Sequence, residues 1–407
     1  MPRLRWIALG ALALVLGLLP FVPRGSGDDD GTIRTTADRP TSRTLPLTAG
    51  YGRVTPAFRR TIDRVVAEAR SEPRLSRTAS AKALVDSVVR CATFEGQRYC
   101  LGAGWTDRTE AQVQNRTVKA MQADRREAGF STGDLSAYDA MRQRAAMRPG
   151  ERARADRAEL VQAARSVAKV WLLRHEIQGV PLPANFRAEH PEVRTTPAAE
   201  KSGSTGEASG QSRVKRWREY PDKGTVLNPH HVAAQHRTYW CGPTSMQMIA
   251  WGWSGHRRTQ AHWARRLGTT TSGSAITSMV RVVNEVTGYD KESYAGPYIT
   301  LDIRDWSFRE WRLLMARHVV DYRAPVVLHP VLEKRFYPYL DHDGSGHFQV
   351  GRGYQKRDGK TPLLGYFEPW NQQRFHPDEP FIDRVQWRDA YKSYRANQAH
   401  FQHNLGV

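Results

Sequence analysis

The stretch Gln235-His-Arg-Thr-Tyr-Trp-Cys241-Gly-Pro-Thr-Ser245 decides the reading of this chain. It joins a lone cysteine to a Gly-Pro turn, and Met246-Gln-Met-Ile-Ala-Trp251 continues it as a helix former. Cys241 therefore falls at or just before a helix start, with Pro243 suited to the first turn. Unpaired N–H groups at a helix N-terminus favour negative charge, so a thiolate is stabilised there. Upstream, Gln235 carries a side-chain amide that can curl back toward the thiol and donate to a developing oxyanion. A thiol nucleophile also needs a base, usually histidine, and a group that orients the base.

Further along come Gly346-His347-Phe-Gln-Val-Gly-Arg-Gly-Tyr354 and Leu364-Gly-Tyr-Phe-Glu368-Pro-Trp-Asn371. The order Gln235, Cys241, His347, Glu368-Pro369 resembles a papain-like cysteine peptidase of family thirty-nine. These are the bacteriocin-processing, double-glycine type and its secreted bacterial relatives. The resemblance runs from roughly Asn228 to Asp383. It implies Cys241 as nucleophile, His347 as base, Glu368 as the group orienting His347, and Gln235 beside the oxyanion. The family pattern has Asp-Pro where this chain has Glu368-Pro369, so Asn371 stands as the alternative third member. No Walker motif occurs, so the chain lacks the ATP-driven exporter fused to many such peptidases.

The 407 residues suffice for two ordinary domains, and 40% hydrophobic with 10% aromatic content supports a packed core. A formal charge of +20 suits an anionic cell wall or an acidic surface. No aromatic-interleaved basic strand of the RNA-binding type occurs, which speaks against a nucleic-acid partner. There are three cysteines. In an exported protein an odd count suggests one bridge and one free thiol. Cys91 and Cys100 flank a short segment that Gly96 can turn into a hairpin, bringing the two thiols together. Cys241 is then the free thiol.

Residues 1–27 read as a signal peptide or an N-terminal anchor. Arg3 and Arg5 precede an apolar run over 6–22, and Arg24 and Asp28-Asp-Asp30 end it. The run is long for a signal peptide and near the lower limit for a spanning helix. The protein is expected to be secreted or anchored on the outer face of the membrane. Residues 28–50 read as a flexible lead-in. Residues 51–192 are expected to form a mainly helical domain, with helices near 109–122, 133–147 and 152–178. Residues 193–219, rich in small polar residues, are expected to be a linker. In 220–407, helical patterns come first and β-type runs at 325–329, 347–350 and 363–367 follow. That order predicts an α+β domain of papain-like layout, a Cys helix packed on a mainly antiparallel sheet.

Other motifs fail. Asp341-His-Asp343-Gly-Ser-Gly346 opens like a calcium loop, but its twelfth position is Arg352 rather than Glu. No zinc-type spacing, H-E-x-x-H or G-x-S-x-G occurs, so neither metal nor cofactor is expected. The expected substrate is a peptide or protein, cleaved at an amide bond. A cell-wall peptide hydrolase or amide transferase with the same residues, and a non-catalytic binding module on the same fold, stay open. So does a role for the N-terminal domain as a pro-region that occludes the cleft.

Overall fold

The computed structural model describes residues 51–71, 79–124, 131–193, 215–255, 257–291 and 295–407. The apolar run at 6–22, the lead-in and most of the expected linker lie outside them. Among the described residues no helix is long and apolar enough to cross a membrane.

Ten strands form one sheet. In chain order they are β1 Cys91–Phe94, β2 Gln97–Cys100, β3 Gly104–Thr106, β4 Lys223–Thr225, β5 Thr300–Asp302, β6 Val326–Leu328, β7 Gln349–Arg357, β8 Lys360–Phe367, β9 Val385–Asp389 and β10 Asn404–Gly406. The spatial order is β1-β2-β3-β5-β10-β6-β7-β8-β9, with β4 also paired to β7. All pairings are antiparallel except β3 with β5. Helices such as Cys241–Ser254 and Ile276–Val286 complete a mixed, mostly antiparallel architecture consistent with a papain-like fold.

The first hairpin follows from its sequence. Glu95 and Gly96 both have positive φ, 49° and 78°, as a two-residue turn matching the strand twist requires. Cys91 then faces Cys100 across the ladder, and the two are disulfide-bonded.

The region 51–192 is not a free-standing helical domain. It is mainly helical, yet β1, β2 and β3 continue the sheet of the C-terminal part, where Trp105 pairs with Leu301. One core cluster holds Phe58, Phe94 and Trp105 together with Leu301, Phe348 and Val407. A buried ion pair, Glu176 with Arg317, joins the two parts. Three-residue strands such as β3 and β5 are too short to show a period, so the sequence pattern misses them. The linker expectation also shortens at its end. Trp217–Glu219 form a 3-10 turn, and Lys215 Nζ lies 2.8 Å from Asp321.

The stretch expected to be helical from 133 starts only at Ala137. The Ser136 side chain accepts from the Asp139 N–H and caps that helix. Residues 132–135 stay outside the helix, with Gly133 in a bend at φ 108°, and Asp134 bridges Ser274 in parallel.

Candidate active site

Cys241 is the first residue of the helix Cys241–Ser254, which Gly255 ends in the left-handed conformation. The first ten residues of this helix are all buried, as expected for a run without a polar face. Cys241 has 0% exposure and is free of any disulfide. Burial pushes its thiol well above the ordinary range. Hydrogen bonding from the backbones of Phe348 and Gly242 works the other way, while the charges of Asp134 and Glu368 add to the rise. In this closed arrangement the thiol is protonated.

His347 enters β7 from the loop Asp341–Gly346, and its backbone N–H donates to Pro330 O at 2.8 Å. Its Nε2 lies 2.7 Å from Glu368 Oε1, with both side chains at 0% exposure. A carboxylate partner accepts, so Nε2 carries the proton and Nδ1 keeps its lone pair. Nδ1 has no hydrogen-bond partner within the described residues. The next residue, Phe348, supplies the backbone contact to Cys241. His347 thus carries an unpartnered ring nitrogen one residue before the Phe348 backbone that bonds Cys241.

The register explains why a glutamate fits. Val350 pairs with Phe367. One step further along the same ladder, Gln349 comes opposite Glu368, and His347 is the diagonal neighbour on the same face. The longer side chain spans that diagonal. Glu368 Oε1 also accepts from the Trp370 N–H at 2.9 Å. Its Oε2 accepts from Gln349 Nε2 at 2.6 Å and from Tyr339 OH at 3.0 Å. Burial raises the Glu368 carboxyl, but His347 and these donors outweigh it and hold the group below the usual range. Asn371, the alternative third member, is bound through Oδ1 to Arg384 Nη2 at 2.9 Å and has no part in the pair.

Gln235 is also fully buried, and its backbone N–H donates to Pro369 O beside Glu368. Its side chain does something other than expected. Nε2 donates to Arg237 O at 2.9 Å and Thr238 O at 2.8 Å, so both amide protons brace the loop before Cys241. The sequence reading did not find Gln349, Tyr339 or Trp370. Gln349 was findable, because i and i+2 on a strand share a face with His347.

A second histidine–carboxylate group packs close by. Asp134 Oδ2 lies 2.5 Å from His400 Nε2 and 3.3 Å from His329 Nε2. All three residues are buried and close enough together to hold an ion. However, His400 Nδ1 accepts from the Gln402 N–H at 3.1 Å, which leaves the proton on Nε2 and directs it to Asp134. The group as it stands is a hydrogen-bonded cluster. No sequence motif pointed to it, because its members are 266 positions apart at the widest.

A separate cavity of about 410 Å³ lies between Leu101, Arg144, Glu159, Thr277 and Tyr298. None of Cys241, His347 or Glu368 lines it.

No curated protein and no solved structure matches this chain. Residues 229–398 match the model of the Peptidase_C39 like family, a span that contains Gln235, Cys241, His347 and Glu368. Over that span the chain is similar to the C39-like, papain-like peptidases.

Proposed function

We propose that the protein is an exported cysteine peptidase that hydrolyses peptide bonds through an acyl-enzyme. The observation that carries this reading is the His347–Glu368 pair, which leaves Nδ1 unpartnered one residue before the Phe348 backbone that bonds Cys241. Nδ1 takes the thiol proton as the Cys241 sulfur attacks the substrate carbonyl carbon. The tetrahedral oxyanion collapses, the C–N bond breaks, and His347 returns the proton to the leaving amine. Water, deprotonated by the same nitrogen, then cleaves the thioester and frees Cys241. Glu368 keeps the imidazole oriented and stabilises its charged form.

The Cys241 amide is among the first N–H groups of its helix, which lack intrahelical partners, and serves as one oxyanion donor. Gln235 becomes the second donor only by releasing one of its two loop carbonyls when substrate arrives.

The test is hydrolysis of a fluorogenic peptide library by the full chain, compared with Cys241→Ser and His347→Ala. Cleavage lost in both variants supports the reading. Cleavage retained in Cys241→Ser rejects it. Export is supported by the single bridge at Cys91 and Cys100 and by the apolar run at 6–22. Recovery of the protein only from the cytoplasmic fraction would reject that half.

A further inference from the structure

Every group in the proposed mechanism is sealed from solvent, and one segment packs against both the loop before Cys241 and the residues before His347. Residues 132–135 run between the Cys241 loop, Ser274 and the two residues that precede His347. The Leu135 N–H donates to Ser274 O at 2.8 Å, and the Ser274 N–H donates to Gly133 O at 3.0 Å. On the other side, the Thr132 N–H donates to Ser345 Oγ at 2.9 Å, and Thr132 Oγ1 donates to Gly346 O at 2.7 Å. Asp134 points inward, onto His400 and His329, and its charge acts on the Cys241 thiol.

We infer that residues 132–135 are a self-inhibiting segment seated where the backbone of a peptide substrate would lie, and that the peptidase works only when this segment leaves. The inference rests on the peptidase reading. Its two bonds with Ser274 run from main chain to main chain, the kind a bound peptide makes to a neighbouring edge. The Ser274 side chain packs on Gly242, next to Cys241, and Gly346 immediately precedes His347, so the segment holds main-chain groups on both sides of the proposed site.

Two glycines show how closely the segment is fitted. Gly133 has φ +108°, and a Cβ there would lie 2.5 Å from the Tyr239 carbonyl carbon, two residues before Cys241. At Gly346 a Cβ would meet Asp134 Oδ2 at 1.8 Å. Neither approach survives a side chain. The hold is also releasable. Asp134 Oδ1 is buried with no hydrogen-bond partner among the described residues. Such an orphan destabilises the closed state.

The experiment reads the alkylation rate of Cys241 in the folded full chain, with iodoacetamide and mapping by mass spectrometry. This readout follows cover rather than catalysis. Gly133→Val places a side chain against Tyr239 and expels the segment. Thr132→Cys with Ser345→Cys locks it, since the two native hydroxyls stand 3.2 Å apart. The expected order is Gly133→Val at least tenfold faster than the native chain, and the oxidised lock at least tenfold slower, recovering on reduction. Equal rates in the native chain and Gly133→Val, or an oxidised lock that labels like the native chain, overturn the inference. If Gly133→Val misfolds, the oxidised and reduced lock decide alone. A Gly133→Val protein that labels fast yet cleaves no peptide leaves the cover standing and rejects the peptidase reading.

Discussion

Two buried histidine–carboxylate groups flank Cys241, and they are built differently. In the first, His347 lies just before β7 and Glu368 just after β8, the two strands of one hairpin, and four donors saturate the carboxylate. In the second, His329 and His400 belong to the C-terminal part, but the carboxylate is Asp134 on loan from the N-terminal part. One of its oxygens stays unpartnered. A saturated carboxylate between neighbouring strands is a permanent fixture. A carboxylate delivered by a distant segment and left half-satisfied has the character of a latch. The contrast separates what positions the base from what closes the site.

Several measurements sharpen or break that contrast. The largest effect is expected at the first group. His347→Ala should lower kcat/KM for peptide cleavage by about 10³-fold or more while the far-ultraviolet circular dichroism stays unchanged. A loss below tenfold would remove His347 from the base role. Next, Glu368→Ala leaves His347, Gln349 and Tyr339 buried without their acceptor. Chemical denaturation should show a loss of about 3 kcal/mol or more. Asp134→Ala should cost less and should speed Cys241 alkylation, which Glu368→Ala has no reason to do. If the two variants lose equal stability and alkylate alike, the difference between fixture and latch fails.

Acid should act on the two groups in sequence. Burial and the charge of His329 depress His400 to about 4, against the pull of Asp134; His403 adds to the depression. A base depressed on folding contributes stability that is complete above its unfolded value near 6.5 and is lost as pH falls toward 4. The full step is up to about 3 kcal/mol. Glu368 and Asp134 both titrate below their ordinary values, so their contributions disappear only at lower pH still. Urea titrations from pH 7 to 3 should therefore show a decline beginning near 6.5. His400→Gln should reduce the upper part of that decline without abolishing it, since burial also depresses His231, His318 and His403, and should keep the lower part. An unchanged profile would remove His400 from the account. The smallest effect is expected far from both groups. Opening the Cys91–Cys100 bridge with Cys91→Ser and Cys100→Ser should cost about 2.5 kcal/mol for so short a loop, without changing Cys241 alkylation. A change in alkylation would couple the hairpin to the cover.

Much of the site was legible because its signals are local. A cysteine before Gly-Pro announces a helix start, and a histidine before Phe-Gln-Val announces a strand. Odd cysteine arithmetic left Cys241 free, and the β1–β2 hairpin carries the bridge. The glutamate in place of aspartate looked like a weakness until the ladder placed it on the diagonal from His347, where the added length is needed. The sharing of one sheet was not legible, because β3, β5 and β10 are three residues each and pair with strands far away in sequence. Gln235 was read from spacing alone, and spacing does not say that its amide protons go to Arg237 and Thr238.

Helical periodicity carried the expected helix back to 133, but the Ser136 cap starts it at Ala137 and leaves 132–135 outside it. From there the outcome depended on contacts across more than a hundred residues, to Ser274, Ser345 and His400. By itself the sequence determined the kind of chemistry, a thiol at a helix start with a histidine and an acid to follow, because those residues act through their own type and near neighbours. Only the tertiary structure decided that the N-terminal part shares the sheet and that one of its segments closes the site. Hydrogen bonds between distant backbones leave no period or spacing in the chain that forms them.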